Sequence, residues 1–383
     1  MSDSVLVLIG VAYHTASLTE REALALDRRS ARLLLRRLAE ADGIRAAGCL
    51  GTCSRTELYL HADSVDAACQ AAAAAVREIF GRVLRLPGST APSHGTSDSI
   101  AAFVEAGPDA VRHLLRVATG LDSPVLGDVQ VLGQVKAAYA AAREAGTADA
   151  VIHRLFQIAL HAGRRARRET GIGRGHTSMG AVAARLVARA AAPISTRRVA
   201  VVGAGETATI VARHVARARP ADLIILNRTF AHADVLARQL GGRALPLAAL
   251  DTILREVDVI VSATSSPAPI LTGAQVADAM RARSDRPLLA VDLAVPRDIE
   301  RQAGMIPGVR LHGIDDVQAE AMQRLTARAA CVPDVERIVD EELAWFVEWR
   351  AAHEASRVIR IVRARLERTL QARVLADGSQ PSA

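Results

Sequence analysis

Apolar positions change their period along this chain, and the changes mark out its elements. Residues 4–11 (SVLVLIGV) and 57–61 (ELYLH), with a shorter run near 46–50, are dense in branched and leucine side chains and read as strands. Between the first two, residues 19–41 carry Leu24, Leu26, Leu33, Leu34, Leu35 and Leu38 at helical spacing, which predicts one helix. The alanine-rich stretch 64–80 predicts a second. A strand around 101–104 completes the order strand, helix, strand, strand, helix, strand, that of a ferredoxin-like α+β unit. Residues 86–99 (LPGSTAPSHGTSDS) are loop by composition.

From 108 to 170 the pattern is mostly helical, with Pro108 near a helix start and further helices over 128–145 and 149–168. Gly171, Gly173 and Gly175 then break the pattern and mark a hinge. Short strand-like runs at 198–202, 223–227, 257–262, 287–293 and 309–312 alternate with helical segments, the signature of a parallel sheet with helical crossovers. After 315 the chain is helical, with Val335, Ile338, Val339, Trp345, Phe346 and Trp349 on one stripe and a disordered tail expected over 374–383. The expected units are 1–170, 171–313 and 314–383.

Composition narrows this picture. The 383 residues are 50% hydrophobic, enough for two or three cores, yet no apolar run approaches the ~20 residues of a membrane span. Four cysteines in a chain of this length are no disulfide framework, and the start of the chain reads as a strand, not a leader; the expected compartment is the cytoplasm. A net charge of +7 permits a polyanionic partner such as RNA. Lys136 is the only lysine among 48 basic residues, so the arginine content also reflects a general compositional bias.

Two stretches carry candidate chemistry. Gly203-Ala204-Gly205-Glu206-Thr207-Ala208 is G-x-G-x-x-A directly after a strand and at the opening of a helix. Glycine allows the tight turn and the close approach of a pyrophosphate, the small residue lets helix pack on strand, and the helix N-terminus faces the phosphates. At the end of the next strand, where NAD-binding folds carry an acid, stand Asn227-Arg228-Thr229. A carboxylate would repel a 2′-phosphate and these donors would hold one, so NADPH is the expected cofactor of a Rossmann-type domain; a simple turn is the alternative. The second stretch runs Cys49-Leu50-Gly51-Thr52-Cys53-Ser54-Arg55-Thr56-Glu57, where an apolar strand meets a polar loop. Arg55 beside Cys53 is expected to lower the thiol pKa and expose a thiolate, whereas Cys49 reads as a buried thiol, and no second Cys or His pair offers closing metal ligands. His113, on an amphipathic helix leading into a Gly/Asp/Ser-rich loop, is either a general acid or a plain structural histidine.

With these residues in view the chain resembles the glutamyl-tRNA reductase family over about residues 5–350. The resemblance rests on Thr52 to Glu57, Arg112 to Lys136, Arg168-Glu169-Thr170-Gly171-Ile172, Gly203 to Glu206, Asn227-Arg228-Thr229 and Asp292-Leu293-Ala294-Val295-Pro296-Arg297-Asp298. It implies an N-terminal glutamyl-tRNA-binding catalytic domain, an NADPH domain and a C-terminal spinal helix leading to a dimerisation region. It also implies that Cys53 attacks the ester joining glutamate to tRNA, that tRNA leaves, and that hydride from NADPH reduces the thioester to glutamate-1-semialdehyde, the first step of tetrapyrrole synthesis. On the same basis Thr52, Arg55, Ser123, Asp128 and Gln130 hold the glutamyl group, His113 is the active-site histidine, no metal is required, and the partners are glutamyl-tRNA, a second copy of the chain and an aminomutase that receives the product.

The chain departs from the family pattern at Ser54 (usually Asn), at Tyr13-His14 and Ser17 (usually His-Lys/Arg and Pro), and at Asp128-Val129 (usually Glu-Pro). Pro333 falls inside the expected spinal helix, which together with a short C-terminal region predicts a weakened dimer. Two other readings follow from these departures: a paralogue that reduces another aminoacyl-tRNA or acyl thioester, and a non-catalytic homologue that binds tRNA or a partner.

Overall fold

The computed structural model describes residues 4–87, 99–173, 178–283, 286–322 and 330–377. The loop residues 88–98, Gly175 of the expected hinge and residues 378–383 of the expected tail lie outside them.

The N-terminal half begins with β1 (Val5–Ala12), α1 (Leu18–Ala23), α2 (Arg28–Ala39), β2 (Ile44–Gly51), β3 (Arg55–Ala62) and α3 (Val65–Phe80). It continues with β4 (Val83–Arg85), β5 (Ser99–Ala101), β6 (Phe103–Ala106), α4 (Pro108–Thr119), α5 (Gln130–Ala145) and α6 (Ala150–Glu169). The sheet runs β2-β3-β1-β6, the strand order of the ferredoxin-like unit. Strand alternation gives it two apolar faces. Val7, Ile9, Leu58 and Leu60 point to α2 and α3, while Leu6, Leu8 and Tyr59 point to α4, α6 and the C-terminal helix. The single helix expected over 19–41 is two. Asp27 accepts from the Ser30 backbone N–H while the Ser30 hydroxyl accepts from Asp27 N–H, and this capping box starts a new helix after the turn at Leu24.

The second half contains α7 (Met179–Ala190), β7 (Arg198–Val202), α8 (Glu206–Arg217), β8 (Asp222–Asn227), α9 (Phe230–Leu240), β9 (Arg243–Pro246) and α10 (Leu250–Leu254). After these come β10 (Val259–Ser262), α11 (Gly273–Arg281), β11 (Leu288–Asp292), β12 (Val309–His312) and α12 (Ile314–Met322). Its six strands are parallel in the order β12-β11-β10-β7-β8-β9. The order reverses between β7 and β10, and that switch point opens a crevice at the strands' carboxyl ends.

Helix α13 (Val332–Asp377) follows, and Pro333 does not interrupt it. The proline lies in the first turn, where a missing N–H costs nothing, and Val335 N–H already donates to Cys331 O. The described part of the expected disordered tail, up to Asp377, is helical as well. Along the expected stripe, Val335, Ile338, Val339 and Phe346 are buried within the chain against α4 and α6, while Trp345 stays exposed. Ion pairs Arg116–Glu336, Arg112–Asp340 and Arg165–Glu342 flank that contact.

Candidate active site at a domain interface

Cys53 sits in the tight connection of the β2–β3 hairpin, which Thr52 N–H closes onto Arg55 O at 2.9 Å. Thr52 Oγ1 accepts from Ser54 N–H at 3.1 Å and lies 3.2 Å from Ser54 Oγ, so the serine that stands in place of an amide is used to shape the turn. The residue is half-buried and packs against an apolar cluster that Leu18 and Val125 of the first half share with the parallel sheet, α7 and α8.

Arg55 does not activate this thiol. As the first residue of β3 it shares a face with Glu57 and Tyr59, and its guanidinium is buried among carboxylates. Arg55 Nη1 donates to Glu57 Oε1 at 2.7 Å and to Asp122 Oδ2 at 3.2 Å, and Nη2 donates to Asp122 O. Burial pushes the Cys53 thiol up to about 11, Asp128 pushes the same way, and the opposing cation is Arg21. Arg21, 4% exposed in α1, donates to Cys53 O at 2.8 Å and pairs with Asp315 of α12 at 2.5 Å. Cys49 is buried, with its thiol pushed up to about 12.

The alkylation rate of Cys53 by iodoacetamide in the free protein should therefore climb about tenfold per pH unit from 7 to 10, because only the thiolate reacts. Asp128→Asn should react faster at a given pH and Arg21→Ala slower. Peptide mapping that finds a plateau below pH 8 would contradict the buried, neutral thiol.

His113 projects from α4 between two acids, with Nε2 2.7 Å from Glu57 Oε1 and Nδ1 3.7 Å from Glu105 Oε2. Burial works against its charge, but the contact with Glu57 outweighs it and the imidazole pKa is raised. Glu57 is fully buried, yet His113 and Arg55 overcome that burial and hold its carboxyl well below the usual range. Its other oxygen accepts from Tyr59 Oη at 2.7 Å. The ring of His113 leans on Phe103, which stacks on His14 next to Tyr13.

The loop between α4 and α5 supplies the remaining candidates. Ser123 is half-buried next to Asp122. Asp128 Oδ1 accepts from the N–H of Gln130, the first residue of α5, at 2.9 Å. Gln130 Nε2 donates to Thr207 Oγ1 at 3.4 Å, which joins the two domains directly.

Thr207 is the second residue of α8, directly after the glycine turn that leaves β7. Gly203 has φ +112°, and a Cβ there would lie 2.5 Å from Ala263 O, so only glycine fits. Gly205 is different: it is exposed, at φ −75°, and a Cβ would meet nothing. The open space there, ahead of the α8 amides and the exposed Glu206, suits a pyrophosphate, while buried Ala208 packs α8 onto β7. At the end of β8, Asn227 Nδ2 donates to Thr229 O at 3.0 Å, and Arg228 and Thr229 are exposed with no acid in that turn. These residues fit a dinucleotide.

Asp292 and Asp298, quoted from a motif of unassigned role, shape the carboxyl edge of the sheet. Asp298 accepts from Ser262 Oγ and Thr264 Oγ1, both at 2.6 Å. Asp292 accepts from Ala294 and Ile299 N–H, and burial pushes it up to about 7. Arg297 between them makes a bidentate pair with Glu22 of α1 at 2.7 and 2.8 Å, a third tie between the domains after Arg21–Asp315 and Gln130–Thr207.

Arg21, Glu22, Glu57 and Asp122 were missing from the sequence candidates. Glu57 carried a signal, since it stands two residues from Arg55 on a strand and shares its face. Arg21 carried none, because its partners lie 32 and 294 residues away. Among the described residues no group of His, Cys, Asp or Glu is placed to hold a metal, and no helix is long and apolar enough to cross a membrane.

Both halves of the chain resemble known proteins. Residues 9–170 match the family model described as glutamyl-tRNAGlu reductase, N-terminal domain, and residues 185–320 match that of shikimate / quinate 5-dehydrogenase. The glutamyl-tRNA reductase of Stenotrophomonas maltophilia strain K279a is 38% identical over 350 residues, 91% of this chain and 78% of the relative. That of Methylococcus capsulatus strain Bath is 37% identical over 362 residues, 94% and 83% of the two chains. Among solved structures, glutamyl-tRNA reductase from Methanopyrus kandleri aligns with 97% of this chain and 88% of its own at 32% identity and a TM-score of 0.51.

Proposed function

Since the chain belongs to the glutamyl-tRNA reductase family, we propose that it reduces glutamyl-tRNA to glutamate-1-semialdehyde through a thioester on Cys53, with NADPH as reductant. The observation that carries this reading is the contact of the Cys53 hairpin with the dinucleotide-type domain, with Gln130 bonded to Thr207 directly after the glycine turn.

Each residue has a chemical part in that reaction. Arg55 draws the substrate's side-chain carboxylate. Glu57 is its fully buried partner, whereas Asp122 is partly exposed and stands where the incoming carboxylate would replace it. Thr52, Ser123 and Gln130 supply hydroxyl and amide donors around the acyl group. Asp128 receives the substrate's α-ammonium group, which offsets the carboxylate that adds to burial in holding the thiol up, and so favours the thiolate. Cys53 Sγ then bonds to the ester carbon and the terminal ribose oxygen of the tRNA departs. His113, whose charged form Glu57 favours, donates a hydrogen bond to the acyl oxygen as charge develops there. Bound NADPH supplies the hydride that reduces the thioester. Gly203, Gly205, Thr207 and Ala208 would shape its pyrophosphate site, Glu206 opens the helix beyond it, and Asn227, Arg228 and Thr229 would hold the 2′-phosphate. The product aldehyde passes to an aminomutase. The homodimer expected of the family would use α13 beyond its contacts with α4 and α6.

Two measurements test this reading. Incubation with glutamyl-tRNA in the absence of NADPH should leave a glutamyl adduct on the Cys53 peptide by mass spectrometry. Addition of NADPH, and not NADH at equal concentration, should discharge it with oxidation of the nucleotide. An adduct only with a different charged tRNA would favour the paralogue, and tRNA binding without any adduct would favour the non-catalytic homologue.

A further inference from the structure

Arginines crowd the outer face of α2. Arg28, Arg32 and Arg36 are spaced by four and form one exposed row, with Arg29 beside it and exposed Leu33 at its edge. Like charges four apart repel. Arg28 and Arg29 also occupy the first turn, where the helix dipole disfavours cations and which carries no acid. Some arginines on other helices are matched four residues away by acids, as in Arg165–Glu169, Arg238–Asp234, Arg337–Glu341 and Arg350–Glu354, while Arg213 and Arg217 of α8 are not. On α2 only Arg37 has such a partner, Glu78 of α3. Asp27 is bonded by Ser30 and feels Arg29, and Arg28, Arg32 and Arg36 have no ion pair among the described residues. A local rule broken without local compensation points to a ligand.

The row starts next to the nucleophile. Leu26, two residues before α2, lies so close to Gly51 of the Cys53 hairpin that a Cβ there would be 2.7 Å from the Leu26 Cβ. Thr56, on the other side of Cys53, donates from Oγ1 to Leu24 O at 2.9 Å. From Arg28 to Arg36 the row then leads away over ~12 Å at the helical rise. A substrate whose ester is held at Cys53 and whose body is a polyanion needs such a track of cations leading outward.

We propose that the outer face of α2 is the docking surface for the phosphate backbone of the acceptor end of the aminoacyl-tRNA. Arg28, Arg29, Arg32 and Arg36 neutralise successive phosphates, and Leu33 lies against a ribose or base. This rests on the reading of Cys53 as the acyl acceptor, and it adds where the RNA lies.

The test uses the full chain and uncharged glutamate tRNA as probe, with affinity measured by fluorescence anisotropy across a salt series. The triple variant Arg28→Gln, Arg32→Gln, Arg36→Gln relieves repulsion in the helix and should fold as well as the wild type, checked by its melting temperature and NADPH affinity. It should bind tRNA at least tenfold more weakly, and the slope of log affinity on log salt should fall by about 2, the value for three phosphate contacts on a single strand. The corresponding triple Lys variant should retain the slope. A control variant, Arg198→Gln, Arg255→Gln, Arg310→Gln, changes the net charge equally on exposed residues of the other domain and should bind like the wild type. Equal losses in both Gln variants, or none in the α2 variant, would overturn the docking surface and leave the reaction standing. A wild type with no salt-dependent tRNA binding would overturn both.

Discussion

Cys53→Ser should lower turnover with glutamyl-tRNA at least about 1000-fold, while the affinities for tRNA and NADPH stay within about threefold. The loss corresponds to roughly 4 kcal/mol in the barrier. Two effects combine to produce it. The thiol sits in a desolvated pocket that already opposes its ionisation, and a hydroxyl in the same place ionises far less readily. Any acyl-serine that formed would be an oxygen ester, which accepts hydride less readily than a thioester. The substitution is close to isosteric and the side chain is half-buried, so the melting temperature should hardly move. The decisive measurement is NADPH oxidation at saturating glutamyl-tRNA, run with a search for the acyl adduct. A variant within tenfold of the wild type would mean that Cys53 is not the acyl acceptor.

A second large effect is expected at Glu57. Glu57→Gln should destabilise the protein by about 3–5 kcal/mol, the usual result of leaving a buried ion without its partner. Here the stranded groups are Arg55 and the imidazolium of His113, both buried around a carboxylate that also accepts from Tyr59. The sign of the pH dependence follows from the shifts. The Glu57 carboxyl is held below its ordinary value, so its contribution is present above about pH 4.5 and is lost as pH falls through the folded pKa. The His113 pKa is raised, so its contribution is complete below about pH 6.5 and is lost as pH rises through the folded pKa. In the Gln variant both slopes should flatten. Urea unfolding at pH 3, 5, 7 and 9 reads them, and a destabilisation below 1 kcal/mol at pH 7 would sink the argument.

Most of the fold could be read from the sequence because its signals are local. The strands at 198–202 and 309–312 coincide with β7 and β12, and the ferredoxin-like order follows from hydrophobic period alone. The edge strand β9 escaped because Arg243–Pro246 is short and barely apolar. The break between α1 and α2 escaped because it depends on one capping residue inside a continuous leucine pattern. For the site, the residue types were legible and the pairings were not. Arg55 stands two positions from Cys53 in the chain, yet strand geometry sends it to Glu57 and Asp122, while the cation that faces the thiol comes from α1. Pro333 shows the same limit from the other side, since its effect depends on where the helix begins.

Strand β3 constrains how this region can change over evolution. Arg55, Glu57, Tyr59 and His61 are alternate residues on one face, and the backbone bond from Thr52 to Arg55 fixes the phase of that alternation at the hairpin. Inserting or deleting one residue between Thr52 and Tyr59 would invert the phase and present Thr56, Leu58 and Leu60 where the ionic cluster sits. The segment is thus locked in length. Substitution is open to it, as with Ser54 in place of the amide, but insertions and deletions are not, and variation in length in this half of the chain belongs to the loops away from the hairpin.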